Sequence, residues 1–477
     1  MTRNLTFLAT LLVVVSCFAS DGDKTTEGVE HRIARIENGL MPIFWIKGQE
    51  VEPFEINERL DELGIQGLSV AFAVEGNIEW ARAYGMADLD SARQMNTDAM
   101  LLAGSISKPV AALRVHQLVE EGKFDLDENI NSYLSSWQVP ENEFTTSEKV
   151  TTRRILNHTA GLTVWGFPGY DIGDEIPSVP EVLDGLGNTD PVRVFKEPGE
   201  SWRYSGGGYT ILQLAITDQE GEAFPETMKK NVLDRLDMPN STFENPLPDR
   251  FHSVAATGYR ANGNEVEGKW PIYPEMAAAG LWTTPSELIQ YATKIQEVLQ
   301  SKNDGVLKYE TVLSMLTPGM NDHGLGPVVT EHYFGHGGAD EGFRARLVAW
   351  KSQPYSVVIM VNSDNGSIIQ ELMLAIANEY NLPGFEPAIR EVNELRMEQL
   401  EKYAGSYIFE DDDSICKIKL RGSQLVVTAK WLREPVTLLP ESEIRFFDAS
   451  DGTRVEFHID NGIVAGLTYD GYRANRM

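Results

Sequence analysis

The spacing of apolar positions along the chain changes period several times, and each change marks an element. Between Gly67 and Gly85 the period is two. LSVAFAV and IEWARAYG flank Glu75-Gly76-Asn77, which predicts two adjacent antiparallel strands joined by a hairpin. The period then turns helical. Within Leu101 to Gly122, the residues Val110, Leu113, Val115 and Leu118 form a mainly apolar stripe. Pro109 lacks an N–H and is tolerated only in a first turn, so the helix starts close to Ser105, and Gly122 is its stop. Further helices are predicted at Val29 to Ile36, Phe54 to Leu63, Thr210 to Asp218, Thr227 to Leu236, Pro285 to Gln300 and Ser367 to Tyr380. FRARLVAW and YSVVIMVN read as strands with Lys351 to Pro354 as their turn, Gly166 to Pro191 as a long aperiodic loop, and residues 221–300 as mostly helical and peripheral.

After Pro383 the pattern shifts. Glu386 to Tyr403 reads as a charged helix. From Gly405 the chain breaks into short alternating runs (YIF, ICKIKL, QLVVTA, VTLL, IRFF, RVEFHI, IVAGLTY) separated by Gly, Asp and Ser turns, a small antiparallel sheet or barrel. The fold class is therefore α/β (α+β): an antiparallel sheet from strands near 68–85 and 333–362, flanked by helices, with a helical subdomain over about 120–300 and a small all-β C-terminal domain. Divided by function, residues 1–20 are a targeting segment, 21–385 the main domain, 386–403 a linker helix and 404–477 the β domain.

The first twenty residues bear on where the protein works. Arg3 precedes an apolar run, Leu5 to Val15, too short to span a bilayer and suited to a secretory signal. The run ends Val14-Val15-Ser16-Cys17, which resembles a bacterial lipobox; cleavage after Ala19 or Ser20 is the other reading. Either predicts export to the periplasm or cell envelope, with membrane contact only through a lipid on Cys17. Cys17 and Cys416 are the only cysteines, so the exported chain has no internal disulfide framework and no thiolate metal site. Seventy-one acidic against 41 basic residues, a formal charge of -30, argues against nucleic acid or an anionic membrane surface as partner. Oligomeric state is left open, with a monomer favoured.

Three stretches carry candidate chemistry. Ser105 and Lys108, three apart at a helix start, share a face, and a hydroxyl beside an amine at the positive end of a buried helix is suited to nucleophilic catalysis. Ser-x-x-Lys is expected about once by chance in such a chain. It recurs as Ser414 and Lys417, after an acidic run and before a strand, with no helix start to support it. Tyr204 stands just before Gly206-Gly-Gly208; it either packs on Trp202 or acts as a phenol whose pKa a neighbouring Lys108 ammonium lowers. His336 lies among Gly335, Gly337 and Gly338, where backbone can run close to a substrate. His158, before Gly161-Leu162, reads as a helix-end residue that fixes the following loop, with a catalytic role as the other reading. No Gly-x-Ser-x-Gly, His-Glu-x-x-His or Cys-x-x-Cys occurs, which argues against an α/β-hydrolase or a zinc enzyme, and no metal or cofactor is implied.

Taken together, Ser105-Ile-Ser-Lys108, Leu156 to Leu162, Tyr204-Ser-Gly206, Ala279 to Leu288 and His336-Gly-Gly338 resemble, in order and spacing, the penicillin-binding-protein and class C β-lactamase superfamily. The likeness is to its β-lactamase-related serine hydrolase branch of esterases and D-aminopeptidases, and the last domain resembles the lipocalin-like domain attached to many of them. The resemblance implies that Ser105 is acylated, that Lys108 and Tyr204 activate it, and that His336 stands where many relatives carry a lysine. It implies an oxyanion hole from the N–H groups of Ser105 and Ala339, beside Gly337 and Gly338. At Gly206 a family asparagine, which would hold substrate, is missing. With His336 in the lysine position, this turns the expectation from β-lactams toward a small ester or a peptide or amide of D-amino acids, hydrolysed through an acyl-Ser105 intermediate. The alternative is a non-turnover penicillin-binding or sensor protein that uses the same pocket for recognition.

Overall fold

The computed structural model describes residues 28–410, 414–432 and 435–477. Arg3, the apolar run and Cys17 lie outside the described residues. A seven-stranded antiparallel sheet organises the main domain: β1 (Gly67–Val74), β2 (Asn77–Asp88), β3 (Arg93–Gln94), β4 (Val328–Val329), β5 (Tyr333–Asp340), β6 (Phe343–Trp350) and β7 (Tyr355–Val361), in the order β3-β2-β1-β7-β6-β5-β4. The hairpin at Glu75-Gly76 pairs Val74 with Asn77. β1 is an interior strand buried on both faces, which is why Gly67–Val74 reads as nearly continuous apolar sequence. Alternate residues feed two cores. Leu68, Val70, Phe72, Val357 and Ile359 meet the helices Val29–Glu37, Ile56–Leu63 and Ser367–Tyr380, whereas Ala71, Ala73, Leu347, Val358 and Met360 face the half that carries Ser105.

Helix α1 (Ser107–Glu120) crosses that second half. Ser107 through Leu118 are all buried, so the apolar stripe in its sequence understates a helix enclosed on every side. Against it pack α2 (Gly206–Glu220) and the turn Met276–Ala279, while α3 (Pro285–Ser301) lies on β1, β6 and β7. The structure departs from two sequence expectations here. α3 is part of the sheet's packing rather than peripheral, and residues between Asp237 and Thr284 are mostly irregular, broken by short turns such as Asp249–His252 and Met276–Ala279. Their apolar residues, among them Phe243, Tyr259, Trp270 and Trp282, are buried by loops wrapped over the core, which periodicity alone does not reveal.

The expected helix over Glu386 to Tyr403 is also corrected. Residues Ala388–Arg390 form a strand that pairs in parallel with Phe44–Ile46, and helix is confined to Met397–Leu400 and Glu401–Tyr403. Pro387 breaks the helical pattern, and Phe44–Ile46 supplies a backbone edge that only the folded chain brings close. Beyond it the eight strands between Gly405–Phe409 and Tyr472–Arg476 close a barrel. Its interior is filled by side chains including Tyr407, Cys416, Phe446, Phe457 and Leu467. Lys417 belongs to this barrel, paired to Ser406, and Ser414 directly precedes its strand, with no helix start there.

Candidate active site

The site begins with a close backbone approach. Ala103 N–H donates to Leu281 O at 2.8 Å, and Gly104 then takes a left-handed φ of +53°. A Cβ on Gly104 would lie 2.5 Å from Ala339 N, and one on Gly338 would lie 2.0 Å from Ala103 O. Two glycines thus let the Ser105 turn and β5 touch through their backbones. Ser105 sits in the 3₁₀ turn Gly104–Ile106 that leads into α1.

Lys108 lies one turn behind Ser105, 2% exposed, and its Nζ donates to Ser105 Oγ at 3.0 Å and to Ala278 O at 2.7 Å. Ala278 is held in turn by α2, where Gln213 donates to Pro274 O and accepts from Ala277 N–H. Burial lowers the Lys108 amine from 10.5 to about 7, with Asp340 opposing the shift. Near neutral pH a substantial share of the amine is therefore uncharged and can accept a proton.

Tyr204 completes the group. Its ring centroid lies 5.0 Å from Lys108 Nζ and 4.3 Å from the His158 ring. Contrary to the sequence expectation, its phenol is raised, not lowered: burial dominates, with the Ser105 hydroxyl pulling the other way. A half-neutral Lys108 cannot offer the fixed positive charge that the expected lowering needs. His158 positions this tyrosine. Arg203 N–H donates to the His158 carbonyl at 2.7 Å and Ser205 N–H donates to its Nδ1 at 3.1 Å, so both neighbours of Tyr204 are tied to one residue. Its left-handed φ of 61° ends the helix Thr152–Leu156 and turns the ring inward, in line with the helix-end reading.

A cavity of about 410 Å³ opens over Ser105 and is lined by Trp165, Tyr204, His323, His336 and the Gly337–Ala339 backbone. The predicted residues Ser105, Tyr204, His336, Gly337, Gly338 and Ala339 thus line one space, with Lys108 beneath. Gly206 does not line it. It begins α2 under the loop at Trp165 to Phe167, where a Cβ would meet Phe167 Cε2 at 3.0 Å. Glycine fits there because that loop covers the position.

His336 is 5% exposed, and its Nδ1 faces Gly337 O at 2.6 Å. A carbonyl can only accept, so Nδ1 carries the proton, and the unpartnered Nε2 is a bare acceptor. Burial and then Lys108 push this imidazole down to about 3, so it is neutral at working pH.

His323 escaped the sequence reading. Its ring lies 5.0 Å from His158 and 6.2 Å from His336, and it lines the cavity. Its setting, His323-Gly324-Leu-Gly326, carries the same glycine-flanked signal as His336. Also missed were two buried carboxyls, Asp340, whose charge couples to the Lys108 amine, and Glu275, which couples to Asp340; burial raises both to about 8. One follows Ala339 and the other caps the turn bearing Ala278; nothing in their sequence neighbourhood marks them as buried.

Comparison with known proteins widens the picture. The chain is 22% identical over 420 residues to penicillin-binding protein 4* of Bacillus subtilis, covering 82% of this chain and 89% of that one. It is 29% identical over 242 residues to esterase EstB of Burkholderia gladioli, covering 49% and 61%. Among solved structures, the octameric penicillin-binding protein homologue from Pyrococcus abyssi shares the fold at a TM-score of 0.61 and 22% identity, covering 87% of this chain and 97% of that one. The family model described as Beta-lactamase matches residues 55–375, a span that holds the whole main sheet and every side chain placed around Ser105, and the chain belongs to that family.

Proposed function

We propose that this protein is a serine hydrolase that cleaves a small ester, or an amide or peptide of D-amino acids, through an acyl-Ser105 intermediate. The observation that carries the reading is the 3.0 Å contact from Lys108 Nζ to Ser105 Oγ at a fully buried amine lowered to about 7. Neutral Lys108 accepts the Ser105 proton as Oγ attacks the carbonyl carbon, and the N–H groups of Ser105 and Ala339 receive the oxyanion. Tyr204, held as a protonated phenol next to Ser105, gives its proton to the leaving group as the bond to carbon breaks, and Lys108 restores it. Water then attacks the acyl carbon, losing its proton to the same pair, which passes it to Ser105 Oγ as the ester bond breaks, freeing the acid and regenerating Ser105.

Gly206 supplies no amide side chain, and a neutral His336 stands where a β-lactam's carboxylate would favour a cation. Both support an ester or aminoacyl substrate over a β-lactam. The test is intact mass after a fluorophosphonate and, separately, a penicillin, with Ser105→Ala alongside. A single fluorophosphonate adduct that vanishes in the variant is expected. Folded protein that takes neither reagent would refute the hydrolase and leave recognition without turnover. The Arg3 to Cys17 segment supports export to the cell envelope as part of the same proposal.

A further inference from the structure

A second cavity, about 480 Å³, adjoins the first and shares Ala339 and Arg344 with it. Its far wall is the Phe167–Asp174 stretch of the long aperiodic loop. Its charge is lopsided. Five carboxyls line it (Asp171, Asp174, Asp340, Glu341 and Asp364) against Arg260 and Arg344. The two arginines are engaged: Arg260 Nη2 with Glu341 at 2.6 Å and Arg344 Nη1 with Asp364 at 3.1 Å. Among the described residues no lysine or arginine lies in salt-bridge contact with Asp171, Asp174 or Asp340. Acidic residues on a surface are usually just solvated, but Asp340 is not on the surface. It is 5% exposed, lines this cavity, and its Oδ2 has no hydrogen-bond partner. A buried carboxyl oxygen left unpaired is costly and marks a place for a donor.

We propose that this cavity is a subsite for a primary ammonium group on the acyl part of the substrate, with Asp340 as its buried acceptor and Asp171 and Asp174 at its mouth. The inference rests on the acyl-Ser105 reading and names its substrate class: aminoacyl esters or amides with a free amine close to the scissile carbonyl. Asp340 directly follows Ala339, the oxyanion donor, so the subsite starts one residue along β5 from the carbonyl. Tyr204, His323 and His336 line only the Ser105 cavity, so a leaving group that must collect a proton belongs there and the acyl part points the other way. Burial raises the Asp340 carboxyl to about 8, with Lys108, Arg344 and the Gly104 N–H opposing and Glu275 adding to the shift. An entering ammonium offsets the burial, so the carboxyl ionises as the cation binds.

The test compares D-alanine methyl ester with its uncharged isostere methyl isobutyrate by pH-stat, each rate normalised to hydroxide-catalysed hydrolysis. The wild type should favour the ammonium ester in kcat/KM by about tenfold or more, as expected for a charge-assisted hydrogen bond to a desolvated partner. Asp340→Asn, and separately Asp171→Asn with Asp174→Asn, should each shrink that ratio several-fold. Fluorophosphonate labelling of every variant reports that Ser105 is still correctly built. A ratio near one in labelled wild type, or an unchanged ratio in labelled Asp340→Asn, overturns the subsite alone. Wild type that cannot be labelled overturns the hydrolase reading beneath it.

Discussion

Replacing Lys108 with methionine, close in length and without charge, should disable the protein while making it more stable. A lysine that titrates at 10.5 in the unfolded chain and about 7 in the folded one destabilises the fold below pH 7 by about 5 kcal/mol, at about 1.4 kcal/mol per tenfold. Methionine removes that cost. It also leaves the Ala278 carbonyl without its donor, which returns about 1–3 kcal/mol. The net expectation near pH 7 is a gain of about 2–4 kcal/mol, seen as a rise of a few degrees in the calorimetric transition of the main domain. The sign depends on pH. Between about 7 and 10.5 the unfolded chain binds a proton that the folded chain lacks, so raising the pH stabilises the wild type. Near pH 10 little of the wild-type cost remains, and Lys108→Met should be no more stable, or less. Meanwhile phosphonylation of Ser105 by a fluorophosphonate should slow by about 10²–10⁴-fold. A variant less stable than wild type at pH 7, or one phosphonylated within a few-fold of the wild-type rate, would refute the account of Lys108 as a buried neutral base.

Tyr204→Phe should cut the acylation rate by about a hundredfold or more, followed by stopped flow with an ester; near-normal rates would remove the phenol from the mechanism. Wild-type acylation should rise with pH through about 7 as Lys108 loses its proton, and a flat profile from pH 5 to 9 would reassign the base. Gly104→Ala forces a Cβ against Ala339 N, at a left-handed φ, and should separate the Ser105 turn from β5. Labelling should then fall at least a hundredfold while the barrel transition is unmoved, and full labelling would show that the close backbone approach is dispensable. Cys17→Ser should release the protein from the membrane fraction; an unaltered distribution, with a mature N-terminus at Ser20 or Asp21, would mean plain export.

Much of this site is legible in the sequence because its signals are local. Ser105 and Lys108 share a helix start that Pro109 fixes, and His336 and Tyr204 are flagged by the glycines beside them, whose use depends on backbone and not on distant partners. Four strands of the main sheet, Gly67–Val74, Asn77–Asp88, Phe343–Trp350 and Tyr355–Val361, declare themselves by period, and so do seven strands of the barrel. The eighth, Tyr472–Arg476, has only Tyr472 and Ala474 as apolar positions, too few to mark it; it is a strand because it closes the barrel between Ile463–Tyr469 and Gly405–Phe409. Ala388–Arg390 is likewise a strand only because Phe44–Ile46 offers it an edge.

What the tertiary structure alone decided is protonation and company. No spacing indicates that Tyr204 would be raised rather than lowered, that His323 would join His336, or that Asp340 and Glu275 would be buried. Burial sums over every element that packs on a group, and those elements come from all along the chain. Desolvation is therefore a property of the fold, while the order of serine, lysine, tyrosine and histidine is a property of the sequence.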